Sequence, residues 1–452
     1  MEKSLTEGNS LKQILYFAFP LLLGNLFQQL YNLADSVIVG KTLGIDALAS
    51  VGASSSLNFL ILGFCMGLCG GFAIPVAQTF GAKEYSLMRR YVVNASVLAA
   101  GISIAIAVVT ALFCRQILIL IRTPENILDG AYRYLIIIFI GIPFITSYNI
   151  ISSIFRGLGD SKSPMCFIAT ACAANIALDY LFMGVLHLGP AGAALGTTLS
   201  QAISVVVSLT VILKRRSIVL KKSDFKPCRA VMGKILGIGI PIAFQDGLIQ
   251  VAFIIITIIA NQRGLNDAAA VGIVEKVISF LFLVPSSMLS TVSALGAQNI
   301  GAGKPDRAIQ TLRYAVMLAA GFGVLASIAI QFTAEGIVSL FTDPSTADGA
   351  AVILFGGQYL RGYIFDCIFA GIHFSFSGFF CACGKSGLSF LHNILAIVLM
   401  RVPGVYVTSK LFPATLLPMG LATAAGSLLS VVICLIAFGV IRRKSTLVLV
   451  EE

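Results

Sequence analysis

The chain alternates long apolar stretches with short polar loops. Twelve stretches contain about 20 or more mostly apolar residues, the length at which a helix crosses a bilayer. Membrane β-barrel strands instead read as weakly alternating segments of about ten residues, whereas LIIIFIGIPFI is apolar on every side. The pattern predicts an all-α integral membrane protein with twelve transmembrane helices. The stretches are residues 14–39, 47–78, 91–113, 132–155, 164–183, 192–213, 234–260, 268–298, 310–332, 351–380, 387–409 and 418–441.

The two halves of the chain resemble each other. Pro20 in ILYFAFPLLLG matches Pro241 in KILGIGIPIAF, 221 residues later, and Gln78 matches Gln298, 220 residues later. A repeat of this length is far longer than the roughly 20 to 50 residues of a solenoid unit, and it is expected of a duplicated transporter lobe. Further matching pairs are Gly81 with Gly301, Pro124 with Pro344, Tyr134 with Tyr359, and Gly159 with Gly384.

Composition excludes a water-soluble domain. Hydrophobic residues make up 58% of the chain and charged residues only 11%, with a mean hydropathy of +0.95. Loop lysines and arginines number 22 on one side of the predicted spans and six on the other. We expect the 22-residue side, with both termini, to be cytoplasmic in a cell membrane. The net charge of +11 then reflects topology and anionic lipid rather than nucleic-acid binding.

Both halves place their basic loops alike, so each half must contain an even number of spans. The sequence therefore predicts two parallel six-helix lobes related by pseudo-two-fold symmetry. The N-lobe covers residues 1–213, a polar and basic cytoplasmic linker residues 214–233, and the C-lobe residues 234–452. The opening MEKSLTEGNSLK carries two acidic residues and precedes a long apolar run, so we expect no cleavable signal peptide.

A few polar and ionisable residues interrupt the apolar stretches of the first half. Asp35 shares one helical face with Gln28 and Asn32, and Asn175 and Asp179 are four residues apart in the fifth stretch. The sixth stretch adds Thr197, Thr198 and Gln201. Carboxylates together with neutral oxygens suit a proton or a hard cation, and charge inside a membrane usually marks function. The alternative is that these residues only cap helices or join them to one another.

Several motifs are specific enough to indicate a family. FPLLLGNLFQQLYNLADSVIVGKTLG, ALASVG, RGLGDSKSP, NIALDYLFM and GPAGAALGTTLSQ resemble the multidrug and toxic compound extrusion (MATE) transporters, over nearly the whole chain. By resemblance to the DinF-like branch, Asp35, Asn175, Asp179 and Thr197 would form a cation site in the N-lobe. The resemblance also implies a bend at Pro20, and antiport of drugs against H⁺ or Na⁺ by rocking of two lobes.

The second half departs from the first. Ile256 stands at the position equivalent to Asp35. The NorM-like branch of the family uses C-lobe carboxylates for Na⁺, so a second cation site at Asp246, Glu275 and Asp366 stays open. The alternative is that Glu275 or Asp366 forms an internal ion pair with Arg361 or Arg401.

The sequence therefore predicts a monomeric secondary active exporter of cationic amphipathic small molecules, driven by H⁺ or Na⁺ and needing no cofactor. No HExxH, GxSxG or CxxC motif supports an enzyme, and the ten cysteines are expected to pack as small apolar residues. One alternative is a flippase for an anionic lipid-linked precursor, whose cavity would use Lys276, Arg361 and Arg401. A channel or receptor gains nothing from the lobe-scale repeat.

Overall fold

A computed structural model of the protein describes residues 4–43, 45–121, 123–215 and 220–443, and within these ranges the regular structure is helical. Four of the basic residues used to predict orientation lie outside the described residues: Lys3, Arg122, Arg216 and Lys444. The helices are α1 Ser10–Leu43, α2 Ile45–Phe72, α3 Ile74–Gly81, α4 Tyr85–Leu120, α5 Glu125–Gly157, α6 Lys162–Asp179, α7 Pro190–Arg215, α8 Arg229–Asn261, α9 Leu265–Leu281, α10 Leu283–Gly301, α11 Pro305–Val338, α12 Ala347–Tyr363, α13 Phe365–Ala382, α14 Ser386–Ala396, α15 Val402–Leu411 and α16 Leu417–Arg443.

These helices account for every predicted span. Eleven segments of the described chain are long and apolar enough to cross a membrane, and the α9–α10 pair makes a twelfth if it counts as one span. That pair is bent by 41°, and Pro285 lies in the first turn of α10, where its missing N–H costs no helical hydrogen bond. The second and tenth spans are likewise two consecutive helices each, α2 with α3 and α12 with α13.

The helices group into two compact units. The first contains Phe19–Gly247 and the short stretch that ends at Leu5, and the second contains Thr6–Ala18 and everything from Leu248 onward. The division falls inside α8, beyond Pro241, rather than in the predicted linker at 214–233. The start of α1, as far as Ala18, likewise belongs with the second unit. The predicted lobes of 1–213 and 234–452 thus differ from the compact units at the two repeat-equivalent helices.

Polar contacts explain why the beginnings of α1 and α8 group as they do. In the second unit, the Ser10 hydroxyl donates to Gln310 Oε1 at 3.0 Å, and Arg307 donates to Gln13 Oε1 at 2.9 Å. In the first unit, Arg89 on α4 pairs with Asp224 at 3.0 Å, just ahead of α8. The segment that begins the first half therefore bonds to the start of α11, and the segment that begins the second half bonds to the start of α4.

The same packing plan recurs within each unit. In the first, α5 packs most extensively against α2, α4 and α7; in the second, α12 and α13 pack against α10, α11 and α16. Leu135 and its repeat equivalent Leu360 are both fully buried in these cores. The fourth span is therefore the centre of each unit, as a duplicated fold requires.

The fifth span of each unit contains a π-helical turn that the sequence pattern did not predict. In the first unit the turn Tyr180–Val185 follows α6, and in the second the turn Ile397–Arg401 separates α14 from α15. Such turns occur often at functional sites, because the wider turn changes the direction of nearby side chains. Asp179 directly precedes the first turn and Arg401 ends the second.

Candidate functional site

Asp35 lies on the buried face of α1. The side chains of Tyr31, Asp35 and Val39 recur at four-residue intervals and are all buried. Gln28 and Asn32, which the sequence places on the same face, are only partly buried. The inward face of the helix therefore combines one carboxylate with a tyrosine hydroxyl one turn earlier.

Asp179 and Asn175 meet one turn apart on α6, where both are completely buried. The Asn175 amide Nδ2 donates a hydrogen bond of 3.3 Å to Asp179 Oδ1. Gly196 on α7 faces this carboxylate so closely that a Cβ there would lie 2.0 Å from Asp179 Oδ1. A glycine is therefore needed for α7 to pack against the carboxylate.

The carboxylates of Asp35 and Asp179 are direct neighbours, although they come from α1 and α6. The Tyr31 side chain lies beside both of them and beside Thr197 of α7. The structure thus brings together all four predicted residues, Asp35, Asn175, Asp179 and Thr197. Their role in binding a cation stays a prediction.

Several oxygens in this cluster are buried and have no hydrogen-bond partner among the described residues. Neither carboxylate has a lysine or arginine partner in the described chain. Two like charges this close in a buried site need a proton or a cation between them. The unpartnered atoms are Tyr31 OH, Asp35 Oδ1, Asn175 Oδ1 and Asp179 Oδ2.

Within the described ranges, no group of three or more His, Cys, Asp or Glu side chains could hold a metal ion. A cation between Asp35 and Asp179 would therefore rely on amide and hydroxyl oxygens for its remaining ligands. Hard cations such as Na⁺ accept such neutral oxygens, as Ca²⁺ and Mg²⁺ do. The donor set accordingly fits a transported cation or a proton rather than a resident transition metal.

Sequence reasoning missed two residues of this site. Tyr134 on α5 is buried and lies close enough to Asp35 and Asp179 to interact with them electrostatically. Its match with Tyr359 in the repeat was a signal that could have found it. Gly196 left no signal, because only the tertiary structure shows which side chain faces a helical glycine.

The three carboxylates left open as a second site are divided between the two units. Asp246 belongs to the first unit, where a Cβ at Gly67 would lie 2.8 Å from its Oδ2. Glu275 lies in the second unit near Thr257 and Tyr359. Asp366 is completely buried, and its Oδ2 accepts a hydrogen bond of 2.6 Å from Arg401.

The alternative of internal ion pairs is therefore confirmed for one of the two carboxylates. Asp366 pairs with Arg401, but Arg361 pairs with Glu335 at 2.6 Å, a residue that the sequence reading did not consider. Glu275 Oε1 is buried and has no hydrogen-bond partner among the described residues. The second unit thus has a basic residue beside one of its carboxylates, whereas the described part of the first unit has none beside Asp35 and Asp179.

Comparison with known proteins decides the family. The family model MatE matches residues 20–181 and again residues 241–407, so that each match begins at one of the two repeat-equivalent prolines. This chain belongs to the MATE family. The double match also confirms the duplication, since one family unit fits each half.

Relatives and solved structures agree with this assignment. The probable multidrug resistance protein YpnP of Bacillus subtilis is 31% identical over 93% of this chain and 92% of its own length. The multidrug export protein MepA of Staphylococcus haemolyticus is 24% identical over 90% and 89%. A solved structure described as the outward-facing conformation of a multidrug resistance MATE family transporter superposes with a TM-score of 0.89 at 21% identity, covering 98% of both chains. The predicted family and the all-helical membrane fold are therefore confirmed.

Proposed function

We propose that this MATE protein is a secondary active exporter that moves cationic amphipathic small molecules outward against inward H⁺ or Na⁺ by alternating access. The observation that carries the proposal is the buried Asp35–Asp179 pair, which has unpartnered oxygens around it and no basic residue beside it in the described chain. The names of relatives such as YpnP and MepA support export of drugs. The coupling ion is a transported substrate, and no cofactor is involved.

In this mechanism Asp35, Asn175, Asp179 and Thr197 bind the coupling ion, and Tyr31 and Tyr134 complete the enclosure. An ion between the two carboxylates removes their repulsion. Binding of a cationic drug, or the conformation that the drug stabilises, favours the emptied site. Ion binding must in turn weaken drug binding by the same factor, because the linkage between two sites is reciprocal.

The flippase alternative loses support from the second unit. Two of the three cations that favoured an anionic substrate are neutralised, Arg401 by Asp366 and Arg361 by Glu335. The third, Lys276, is exposed. A large anionic head group would have to compete with carboxylates already in place, so export is the better-supported function.

Transport by proteoliposomes tests the coupling assignment. The purified protein is given a fluorescent cation under a pH gradient alone, a Na⁺ gradient alone, or neither. Asp35→Asn removes one charge at nearly constant volume, so we expect it to abolish gradient-driven export while the protein still inserts into membranes. Asp129→Asn is the matched control. Asp129 is 81% exposed and its ion pair with Arg115 is long, at 3.9 Å, so losing its charge should matter little.

The opposite outcome would move the site. If Asp35→Asn exports at the wild-type rate while Asp366→Asn or Glu275→Gln is inactive, coupling belongs to the second unit. If neither gradient drives export by the wild-type protein, the antiport proposal itself is wrong. Loss of transport by Asp129→Asn would show that any lost carboxylate is harmful.

Orientation has its own test. We propose that the polar segment before α8 faces the cytosol and that the α4–α5 loop faces outward, because the basic loops flank the former. In a cysteine-free background, Ser223→Cys should react with an impermeant maleimide only after cells are opened, and Glu125→Cys should react in intact cells. Labelling in the reverse order would invert the topology.

A further inference from the structure

The second unit contains a cavity whose lining is partly aromatic. The cavity of about 60 Å³ lies among α8, α13, α14 and α16. Phe253, Phe282 and Phe374 line it, and the rings of Phe282 and Phe374 meet edge to face at 6.3 Å. Such a wall favours contact with another planar ring.

The lining also has a polar wall, with hydrogen-bonding groups that the described residues leave unused. Arg401 Nη2 donates hydrogen bonds to Asp366 Oδ2 at 2.6 Å and to Ser427 Oγ at 2.9 Å. The hydrogen bonds of Arg401 within the described chain come from Nη2, which leaves Nε and Nη1 for a ligand, and Arg401 is only 9% exposed and lines the cavity. His373, which is 4% exposed, also lines the cavity and has no described partner for Nδ1.

This polar wall is held in place by a second histidine. His392 on α14 engages the Ser377 hydroxyl through Nε2 at 2.8 Å and the Ser430 hydroxyl through Nδ1 at 2.5 Å. Both ring nitrogens are therefore occupied, one as donor and one as acceptor. Because Ser377 lies on α13 and Ser430 on α16, the ring joins three helices and preorganises the cavity.

Charge balance decides what this wall can accept. Arg401 is compensated by Asp366, so the cavity offers donors without a large net charge. A ligand ammonium would face the guanidinium, whereas a carbonyl or carboxylate oxygen could accept hydrogen bonds from its unused N–H groups. The volume of 60 Å³ is about that of a few water molecules, which suits a small oxygen-bearing group with its ring against the phenylalanines.

We propose that this cavity binds the acceptor group, a carbonyl or carboxylate, of an aromatic molecule, with Arg401 as the principal donor. The site is separate from the cluster around Asp35 and has the opposite hydrogen-bonding character. The inference does not rest on the proposed exporter function, because it concerns binding and not transport. Binding itself can be measured without transport, so the two proposals can fail independently.

The test uses three probes that share one ring. Naphthamide, naphthoate and naphthylmethylammonium are titrated into the purified full chain in detergent, with empty micelles as the blank. The chain has no tryptophan, so probe fluorescence excited beyond the tyrosine band is free of protein signal. We expect the two acceptor probes to bind at least tenfold more tightly than the ammonium probe.

Arg401→Lys keeps a cation beside Asp366 but removes the planar guanidinium donors. It should weaken binding of the acceptor probes by about tenfold, the effect of losing a charge-assisted hydrogen bond. A second variant acts by position: a Cβ at Gly426 of α16 would lie 2.7 Å from Arg401 Cβ, so Gly426→Ala should weaken the same probes. Gly439→Ala on the same helix is the control, because nothing lies within 4 Å of the added Cβ.

Asp35→Asn should bind the acceptor probes like the wild-type protein even where it has lost export. The proposal is overturned if the ammonium probe binds as tightly as the acceptor probes, if no probe binds, or if Arg401→Lys and Gly426→Ala leave the affinities unchanged. Normal probe binding together with absent gradient-driven export would contradict the exporter function and leave this site intact.

Discussion

The contact between Gly196 and Asp179 gives a sharp test of the coupling site, because a substitution at Gly196 leaves every proposed ion-binding residue unchanged. A Cβ at position 196 would lie 2.0 Å from Asp179 Oδ1, and ordinary contact begins at 3.4 Å. In Gly196→Ala the carboxylate must therefore retreat by about 1.4 Å, the difference between 3.4 and 2.0. The hydrogen bond from Asn175 is already 3.3 Å long, so this retreat should break it.

The consequence is a defect in ion binding with a folded protein. Coordination distances tolerate only about 0.2 Å, so we expect the apparent affinity for the coupling ion to fall tenfold or more. Overpacking should cost about 1–3 kcal/mol of unfolding free energy. Ion-driven uptake by proteoliposomes, measured across Na⁺ concentrations and pH, reports the first effect, and thermal unfolding in detergent reports the second.

Gly101→Ala on α4 is the matched control for this substitution. It makes the same change in a helix, but nothing lies within 4 Å of the new Cβ. It should keep wild-type transport and gain up to about 1 kcal/mol, because alanine favours a helix over glycine. The reasoning is refuted if Gly196→Ala shows wild-type ion dependence, since Asp179 would then not need its observed position.

Two further predictions concern the loops. Lys83 adopts a left-handed backbone with φ of 62°, and Gly303 adopts φ of 68° at its repeat-equivalent position, so Lys83→Gly should stabilise the protein by about 1 kcal/mol in thermal unfolding, and unchanged or lower stability would contradict this. The backbone N–H of Lys221 and, to a smaller extent, the Arg89 side chain lower the pKa of Asp224. The contribution of Asp224 to folding stability is therefore fully present above the ordinary carboxyl pKa and is lost as the pH falls through the lowered value. Asp224→Asn should therefore lower the melting temperature at neutral pH but leave it unchanged at a pH below the lowered pKa. An equal loss of melting temperature at the two pH values would refute the linkage.

Span number and duplication could be read from the sequence because both are one-dimensional properties. A bilayer of fixed thickness demands about 20 apolar residues per crossing, so run lengths alone predicted every span from α1 to α16. The repeat needed only residue identities at constant spacing, such as Pro20 with Pro241, where the family matches also begin. The polar residues of the candidate site stood out because ionisable groups are rare in such runs.

The tertiary structure decided which of those polar residues meet. Asp35 and Asp179 are 144 residues apart in sequence yet neighbours in the first unit. Only the family resemblance predicted that contact, because the spacing of residues within either helix does not show it. Likewise, Asp366 takes Arg401 as its partner while Arg361 takes Glu335, because the side chain that lies across a helix interface depends on rotation and on the π-helical turn at Ile397–Arg401. Sequence determined how many spans form and which of them carry charge, since both depend on local composition. Packing determined which charges are paired and which lack a partner, since that depends on distances between helices.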